Sequence, residues 1–240
     1  MCVVIFDWQP GTSVPLRLGA NRDELRRRPW EPPAWRPGAV PILCPLDLEA
    51  GGTWLGLNAR GLCVALTNRD EAALSAGLSR GILVRELLGT ESHAAAEARL
   101  GSLLQEHRFS PFNLLIADAE AVSVHRHGAG SDERRKPGPG VHVLTNRHDL
   151  DPALLAPVRE DIEEARSRGP FALEDAIFAR LRDHRSWDET DYAICKHGEG
   201  YGTLSSAWIR LGEEARMAFC TGPPCQGAFA PCPRRPEAGS

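Results

Sequence analysis

Cys2 is the residue with the clearest chemical potential, because it directly follows the initiator methionine. A small second residue favours removal of Met1, and we expect this processing. The new N-terminus would then carry an α-amine and a thiol on one residue, with ordinary pKa values near ~8 and ~8.5. An N-terminal amine can serve as the base for its own nucleophilic side chain. The alternative is an inert cysteine at the start of a buried strand.

A second group of candidates recurs along the chain after apolar segments. The tetrad Asn-Arg-Asp-Glu at residues 21–24 recurs at residues 68–71, and more loosely as Asn-Arg-His-Asp at residues 146–149. An asparagine amide can donate to an oxyanion, and an arginine can bind a carboxylate. Strand ends that lead into loops are common places for such groups. We therefore predict a shared site, with ordinary turn initiation as the alternative.

Composition and charge exclude several classes of function. The 240 residues have a net charge of −4, with 42% hydrophobic and 25% charged residues, which is typical of globular proteins. No basic surface for nucleic acid is predicted. The apolar run Cys2–Phe6 is too short for a signal peptide, and no stretch is long and apolar enough to span a membrane. We expect a cytoplasmic protein with reduced cysteines; the oligomeric state is left open.

Hydrophobic periodicity predicts strands in hairpins that alternate with helix pairs. The predicted strands are 3–8, 14–20, 53–58, 62–67, 113–117, 121–125, 142–144, 204–211 and 216–220, and the predicted helices are 80–88, 93–105, 152–168 and 173–182. Residues 26–45 and 128–140 are predicted as loops. A single domain is expected over residues 1–220, followed by a partly disordered tail at residues 221–240. This pattern favours an α+β fold with layered antiparallel sheets and helices outside.

Several motifs in fixed order resemble a known family. They are Met-Cys at the start, Asn-Arg-Asp-Glu at 21–24, Gly-Gly-Thr-Trp-Leu-Gly at 51–56, Ser-Arg-Gly at 79–81 and Tyr-Gly-Thr at 201–203. This set resembles the NRDE family, also called transport and Golgi organisation 2, and covers nearly the whole chain. The resemblance implies an N-terminal nucleophile (Ntn) hydrolase-like fold, a four-layer αββα sandwich of two antiparallel sheets.

The chain is distantly similar to choloylglycine hydrolases and penicillin V acylases, which also begin with Met-Cys. This similarity implies an N-terminal cysteine hydrolase that acts on an amide or ester of a small acylated substrate. Cys2 would be the nucleophile, Asp23 would orient it, and Arg22 would lower the pKa of its thiol. Asn146 with a neighbouring backbone N–H, or Asn68, would stabilise the oxyanion. Those enzymes have an arginine where this chain has Ala20, and the NRDE family commonly has one where this chain has Leu204.

The remaining candidates are weaker. Trp54 and Arg80 are predicted to contact substrate, with core packing and a solvent-exposed arginine as the alternatives. Ser79 is a predicted helix N-cap. No metal site is predicted, because His125 and His127 lack further ligands at suitable spacing. Cys220, Cys225 and Cys232 are interpreted as free thiols.

A second hypothesis places the protein among carriers. The resembled family is linked to haem handling and lipid metabolism, which implies a non-catalytic haem or lipid binding or trafficking protein as the alternative function. Haem would then be a ligand rather than a cofactor. Cys44-Pro45 or Cys232-Pro233 could supply a thiolate to it, or it could lie below the proline-rich segment 26–45. No cofactor is predicted for the hydrolase.

Overall fold

The computed structural model describes residues 2–71, 77–128, 131–187 and 193–235. Within these residues the strands are β1 (Val3–Trp8), β2 (Leu16–Leu25), β3 (Trp30–Arg36), β4 (Ile42–Asp47), β5 (Leu55–Asn58), β6 (Cys63–Asn68), β7 (Phe112–Ala117), β8 (Val122–Gly128), β9 (Ser131–Arg135), β10 (Gly140–Thr145), β11 (Tyr201–Leu211), β12 (Arg216–Thr221) and β13 (Ala230–Pro231). The α-helices are α1 (Arg80–Leu88), α2 (His93–Glu106), α3 (Ala156–Ser167) and α4 (Pro170–Leu181), and a short 3₁₀ turn at Ala153–Leu155 precedes α3.

The strands form two antiparallel sheets. The first sheet has the order β10-β1-β2-β11-β12-β13, and the second has the order β3-β4-β5-β6-β7-β8-β9. β1 lies inside the first sheet between β10 and β2, so its backbone is paired on both edges. The strand that directly follows Cys2 is therefore held inside the sheet.

Three apolar clusters define four layers. One cluster lies between the two sheets. A second joins α1 and α2 to the second sheet, and a third joins α3 and α4 to the first. β1 has a continuous apolar sequence because both of its faces are buried. Val4 and Phe6 face the other sheet, while Val3 and Ile5 face the helices. The predicted αββα sandwich is confirmed.

The helices follow a one-sided apolar pattern. In α4 the buried residues are Leu173, Ile177 and Leu181, spaced by four positions, which places them along one face. Each helix therefore buries one stripe against its sheet and exposes the other. Within the described part of the chain, the longest helix, α2, has 14 residues, and no helix is long and apolar enough to cross a membrane.

Two of the predicted loops are wrong. Residues 30–47 form a hairpin of β3 and β4, although the segment is rich in proline. β3 is an edge strand, where a missing backbone N–H is tolerated, and its register shifts between Glu31 and Ala34 around Pro32 and Pro33. Within the predicted loop 128–140, β9 pairs with β8. In the predicted tail, Ala230–Pro231 pairs with β12, and residues 236–240 lie outside the described residues.

Candidate active site

Sheet register places Cys2 at a meeting point of strands. Val3 pairs with Asn21 on one side and with Thr145 on the other. Cys2, one residue earlier, therefore lies at the end of β1, level with Arg22 on β2 and Asn146 after β10. Its side chain is half-buried, and its Sγ lies 4.0 Å from the backbone oxygen of Asp23. Met1 lies outside the described residues, so its predicted removal stays a prediction.

A small cavity of about 150 Å³ opens at this end of the sheets. It is lined by Cys2, Arg22, Asp23, Glu24, Arg28, Asp47, Thr53, Trp54, Leu66, Asn68, Ser79, Arg80 and Gly81. Six of the seven predicted site residues line this cavity. The structure therefore brings together side chains from both sheets and from the first turn of α1, as a site for a small polar or charged group requires.

Asp23 is held in place by buried hydrogen bonds. Its side chain is 6% exposed, and its Oδ1 accepts from the hydroxyl of Thr203 at 2.7 Å. The Tyr201 hydroxyl donates to its backbone oxygen at 3.2 Å. Burial raises the pKa of the Asp23 carboxyl, while the Thr203 hydrogen bond and the charge of Lys196 act against that rise. The Tyr-Gly-Thr motif thus serves to position Asp23.

Arg22 lies across the cavity from the second sheet. Its guanidinium carbon is 4.2 Å from the centroid of the Trp54 ring, a cation–π contact. Its Nη2 is 3.7 Å from Glu24, while its buried Nη1 has no hydrogen-bond partner within the described residues. Burial lowers the pKa of this guanidinium, and the charge of Glu24 opposes that effect. An unpaired buried donor beside a cavity is suited to a substrate oxygen.

Side chains along β2 alternate between the two faces of the sheet, so neighbouring residues of the tetrad at 21–24 have different roles. Asn21 points to the helix side, where its Nδ2 donates to the carbonyl oxygens of Leu181 at 2.8 Å and Ile194 at 2.9 Å. Asn21 therefore positions the chain around α4 and contributes no group to the cavity. Ala20 belongs to the cluster between the sheets, and Arg22, two residues on, faces the same way. An arginine at position 22 can therefore supply charge on the face where the resembled enzymes have theirs at position 20.

The first turn of α1 forms one wall of the cavity. The Ser79 side chain accepts a hydrogen bond from the backbone N–H of Gly81, so the predicted N-cap is confirmed. A Cβ on Gly52 would lie 2.3 Å from the carbonyl carbon of Gly81, and Thr53 N donates to the Gly81 oxygen at 3.0 Å. The two glycine-containing motifs therefore pack backbone against backbone. Arg80 donates to the Pro111 oxygen at 2.7 Å and lines the cavity.

The two asparagines predicted for the oxyanion site occupy different positions. Asn68 ends β6, lines the cavity and is exposed. Asn146 is 4% exposed and is not among the cavity-lining residues; its Nδ2 donates to Asp70 Oδ1 at 2.7 Å, and its buried Oδ1 has no partner within the described part of the chain. Asp70 also accepts from Arg147 at 3.1 Å. The second and third copies of the repeat therefore contact each other, which links the two sheets.

Arg210 does not take the place of the arginine missing at Leu204. Leu204 lies at a shift in the register between β2 and β11, next to Arg22 and Asp23. Arg210 pairs with Arg17 at the other end of these strands and lines a different cavity. It therefore does not approach Cys2.

Burial dominates the environment of the Cys2 thiol. Desolvation raises the pKa of this thiol, the negative charge of Asp23 adds to the rise, and the charge of Arg22 opposes it. A thiol in this setting stays protonated near neutral pH and needs a base close by.

A larger cavity bears on the carrier hypothesis. It has a volume of about 800 Å³, and its lining includes Trp35, Leu43, Trp208 and Cys232. Burial raises the pKa of the Cys232 thiol to about 11. Cys44 is fully buried in the cluster below α1 and α2 and faces no open space. Only one of the two predicted thiolate ligands therefore lines a cavity large enough for an apolar ligand.

This chain matches a known protein family over most of its length. The family model described as "Transport and Golgi organisation 2" matches residues 1–221. The chain belongs to this family. The human Transport and Golgi organization protein 2 homolog is 30% identical over 253 residues, which cover 91% of this chain and 91% of that protein. The family match includes the tetrad at 21–24 and the Tyr-Gly-Thr segment that positions Asp23.

Solved structures show the same fold at low identity. The N-acylethanolamine-hydrolyzing acid amidase ortholog of Caenorhabditis elegans matches with a TM-score of 0.56 and 13% identity, over 87% of this chain and 92% of that one. Penicillin V acylase from Agrobacterium tumefaciens matches with a TM-score of 0.52 and 14% identity, over 91% of this chain and 82% of that one. The fold of this chain is thus of the Ntn-hydrolase type.

Proposed function

We propose that this protein is an N-terminal cysteine hydrolase that cleaves an amide or ester bond in a small acylated substrate. The observation that carries the proposal is the placement of Cys2, at a strand end in a cavity with Arg22, Asp23 and Asn68. Structural neighbours that are named as amide-bond hydrolases add support through the fold. The proposal includes removal of Met1, because the mechanism uses the α-amine of Cys2.

The first half of the reaction forms a thioester. The Cys2 α-amine accepts the thiol proton, directly or through water, and the thiolate attacks the substrate carbonyl carbon. The resulting oxyanion accepts hydrogen bonds from Asn68 or Asn146, and one such donor is typically worth ~2.7–4 kcal/mol of transition-state stabilisation. The carbon–nitrogen or carbon–oxygen bond then breaks. The leaving amine or alcohol takes the proton held by the α-amine.

Water completes the second half. The α-amine accepts a proton from water, and the hydroxyl adds to the thioester carbonyl. The carbon–sulfur bond breaks, the acid leaves, and Cys2 regains its proton. Asp23 orients the α-ammonium through these steps, and the charge of Arg22 opposes part of the rise that burial causes in the thiol pKa. The small volume of the cavity, about 150 Å³, suits the scissile group and its immediate neighbours.

The cavity also suggests what the substrate carries. Arg22 and Arg80 place two guanidinium groups at its wall, and Arg22 has an unpaired buried donor in the described structure. An acyl compound with a carboxylate or several carbonyl oxygens near the scissile bond would satisfy these donors. Trp54 offers an aromatic face beside them.

Labelling with an acyl or haloacetamide electrophile tests this proposal directly. Intact mass should show that reactive protein lacks Met1. A substoichiometric reagent should modify Cys2 before the other six cysteines near neutral pH, because the α-amine of the processed N-terminus can accept the thiol proton although burial raises the thiol pKa. Cys2→Ser should abolish labelling and turnover of N-acyl amide or ester probes. Asn146→Ala should keep the labelling but lose turnover, because its donor matters once a tetrahedral centre forms.

Three results would overturn the proposal that this protein is a hydrolase. They are active material that fully retains Met1, labelling spread evenly over the cysteines, and unchanged turnover in Cys2→Ser. Circular dichroism on the Cys2→Ser variant serves as the folding control.

A haem or lipid carrier is the second candidate, and the larger cavity favours it. Its volume of about 800 Å³ and the presence of Cys232 and two tryptophans suit a large apolar ligand. Haem titration followed by absorbance tests this function. Loss of the thiolate-type spectrum in Cys232→Ser, but not in Cys44→Ser, would support it. No saturable binding to the unmodified protein would rule it out.

A further inference from the structure

Four side chains with soft or borderline metal-binding atoms meet outside the Cys2 cavity. They are His184, Cys195, His197 and Cys225, and their ligand atoms all lie within 4.8 Å of one another. The first three belong to the segment between α4 and β11, and Cys225 lies in a turn after β12. None of them lines the cavity around Cys2. The proposed hydrolysis assigns no role to this group.

The spacing of three of these atoms, on Cys195, His197 and Cys225, is close to that around a tetrahedral metal ion. Bond lengths of ~2.3 Å to sulfur and ~2.0–2.1 Å to nitrogen imply about 3.8 Å between two sulfur ligands and about 3.5 Å between sulfur and nitrogen. The Sγ atoms of Cys195 and Cys225 are 3.7 Å apart. His197 Nε2 lies 3.9 Å from Cys195 Sγ and 3.2 Å from Cys225 Sγ. These values bracket the expected ones before any ion is present to draw the ligands together.

The surrounding hydrogen bonds orient one ligand and hold the segments that carry the ligands in place. His184 Nδ1 lies 3.2 Å from the backbone oxygen of Cys195, and a proton on Nδ1 donated there would leave the Nε2 lone pair for a metal. Metal-binding histidines commonly donate their other ring N–H in this way. Cys195 N donates to the Asp183 oxygen at 2.8 Å, and Arg182 Nε donates to the Pro224 oxygen at 3.1 Å. Both segments that carry ligands are thus already attached to the body of the protein.

We propose that His184, Cys195, His197 and Cys225 bind one Zn²⁺ ion in a closed, structural Cys₂His₂ site. Two thiolates and two neutral imidazoles fit the ligand preference of zinc and leave no position for a water or a substrate. Binding releases the two thiol protons to solvent, and two thiolates then balance the charge of the ion. The ligands come from two stretches of chain, since Cys225 lies 28 positions after His197. The ion would therefore fasten the segment after α4 to the turn after β12.

Zinc binding would also support hydrogen bonds close to Cys2. Lys196, between two of the ligands, donates its backbone N–H to Thr203 Oγ1 at 2.9 Å. Thr203 in turn donates to Asp23 Oδ1 at 2.7 Å. The zinc site thus supports the strand end that positions Asp23, whether or not Cys2 is catalytic.

The competing chemistry is a disulfide between Cys195 and Cys225. The observed 3.7 Å separation exceeds the ~2.05 Å of a sulfur–sulfur bond, and both residues are free thiols. Oxidation would remove two of the four ligands. The disulfide and the metal site therefore exclude each other, and an experiment can separate them.

The test measures metal content and ligand chemistry in the full-length protein. Protein purified under reducing conditions, stripped with a chelator and reloaded with Zn²⁺ should hold one zinc per chain after desalting. Replacement of Zn²⁺ by Co²⁺ should give the intense visible absorption of tetrahedral cobalt with thiolate charge-transfer bands. Cys225→Ser and His197→Ala should each lower retained zinc at least tenfold. Both residues are at least partly exposed, so these variants should still fold.

Cys232→Ser is the matched control, because it removes another half-buried thiol near the C-terminus without touching the cluster. It should retain one zinc per chain and the cobalt spectrum. Zinc retention below a tenth of an equivalent in the reduced wild type, or equal retention in Cys225→Ser, would overturn the proposal. So would isolation of a Cys195–Cys225 disulfide whose reduced form takes up no cobalt.

Discussion

The Arg22 guanidinium stacks 4.2 Å from the centre of the Trp54 ring and so joins the two sheets across the cavity that holds Cys2. Arg22 belongs to β2 of the first sheet, while Trp54 immediately precedes β5 of the second. The contact fixes a long, flexible side chain near the thiol. It also explains how charge reaches this cavity although Ala20 occupies the position where the resembled enzymes have arginine.

Arg22→Gln should slow alkylation of Cys2 at pH 7. The charge of Arg22 lowers the pKa of the thiol, so its loss raises that pKa further and reduces the thiolate fraction. We expect a several-fold lower rate, measured by mass spectrometry with a haloacetamide. Arg28→Gln is the control, because Arg28 lines the same cavity but is paired with Asp47 at 2.8 Å. Equal rates in both variants would show that Arg22 does not influence the thiol.

Asp70→Ala should impair turnover without affecting the reactivity of Cys2. Asp70 accepts the Asn146 amide at 2.7 Å and thereby sets the position of a proposed oxyanion donor. As a positioning residue it should lower kcat about tenfold with little change in KM, which is less than the ~10²–10³-fold loss typical of removing an oxyanion donor itself. Haloacetamide labelling of Cys2 should be unchanged. Asp149→Ala, which removes an exposed carboxylate paired with Arg69, serves as the control; a matching loss of kcat there would contradict a specific role for Asp70.

Gly52→Ala should destabilise the protein by about 2–3 kcal/mol, as overpacking against rigid backbone commonly does. The added Cβ would lie 2.3 Å from the carbonyl carbon of Gly81 and push α1 away from the cavity. Urea unfolding followed by circular dichroism measures the change. Gly101→Ala on α2 is a matched control, since its Cβ would meet nothing within 4 Å, and it should stabilise the helix by ~0.5–1 kcal/mol. Similar stabilities for the two variants would contradict the close packing.

Glu97→Gln should reduce stability at neutral pH and have little effect in acid. Glu97 on α2 accepts from Ser123 at 2.5 Å and His125 at 2.7 Å on β8. Burial opposes its charge, but these hydrogen bonds and the charge of Arg134 outweigh burial and lower its pKa from 4.5 to about 2. A lowered carboxyl pKa stabilises the fold above pH 4.5, and this contribution is lost as pH falls toward 2.

The expected loss for Glu97→Gln is about 1–2 kcal/mol at pH 7, after allowance for partial solvent screening. The difference from wild type should shrink steadily between pH 4.5 and pH 2. Denaturant unfolding at several pH values measures it. Glu106→Gln, at a half-exposed carboxylate on the same helix, should change stability by less than ~0.5 kcal/mol. A constant difference across this pH range would show that the ionised form of Glu97 is not responsible.

Local pattern was enough to predict most secondary structure. β1 and α1 occupy the residues that the sequence predicts, Val3–Trp8 and Arg80–Leu88. Both are set by short-range periodicity and by the Ser79 cap, which act within a few residues. The sequence did not predict β3, because this strand contains Pro32 and Pro33. These prolines are tolerated only because β3 lies at a sheet edge, and edge position is a property of the assembled sheet.

Residue type and order also predicted the cavity around Cys2. Cys2 and Asn68 lie at strand ends, and antiparallel pairing brings Cys2 level with the last part of β2, which carries Arg22 and Asp23. The hydrogen bond from Asn146 to Asp70 could not be predicted, because it joins two copies of the repeat that lie 76 positions apart in the chain. Such a contact depends on how the two sheets stack, which no local pattern encodes.

The Cys₂His₂ cluster shows the same limit more strongly. The spacing of His184, Cys195, His197 and Cys225 matches no compact ligand motif, and the sequence alone indicates only free thiols there. The helices and strands carry Cys225 to within 3.7 Å of Cys195. Sequence therefore determined which groups have the chemistry and which local elements hold them. Tertiary packing decided which of those groups meet, because distances between remote segments depend on the sum of all packing contacts.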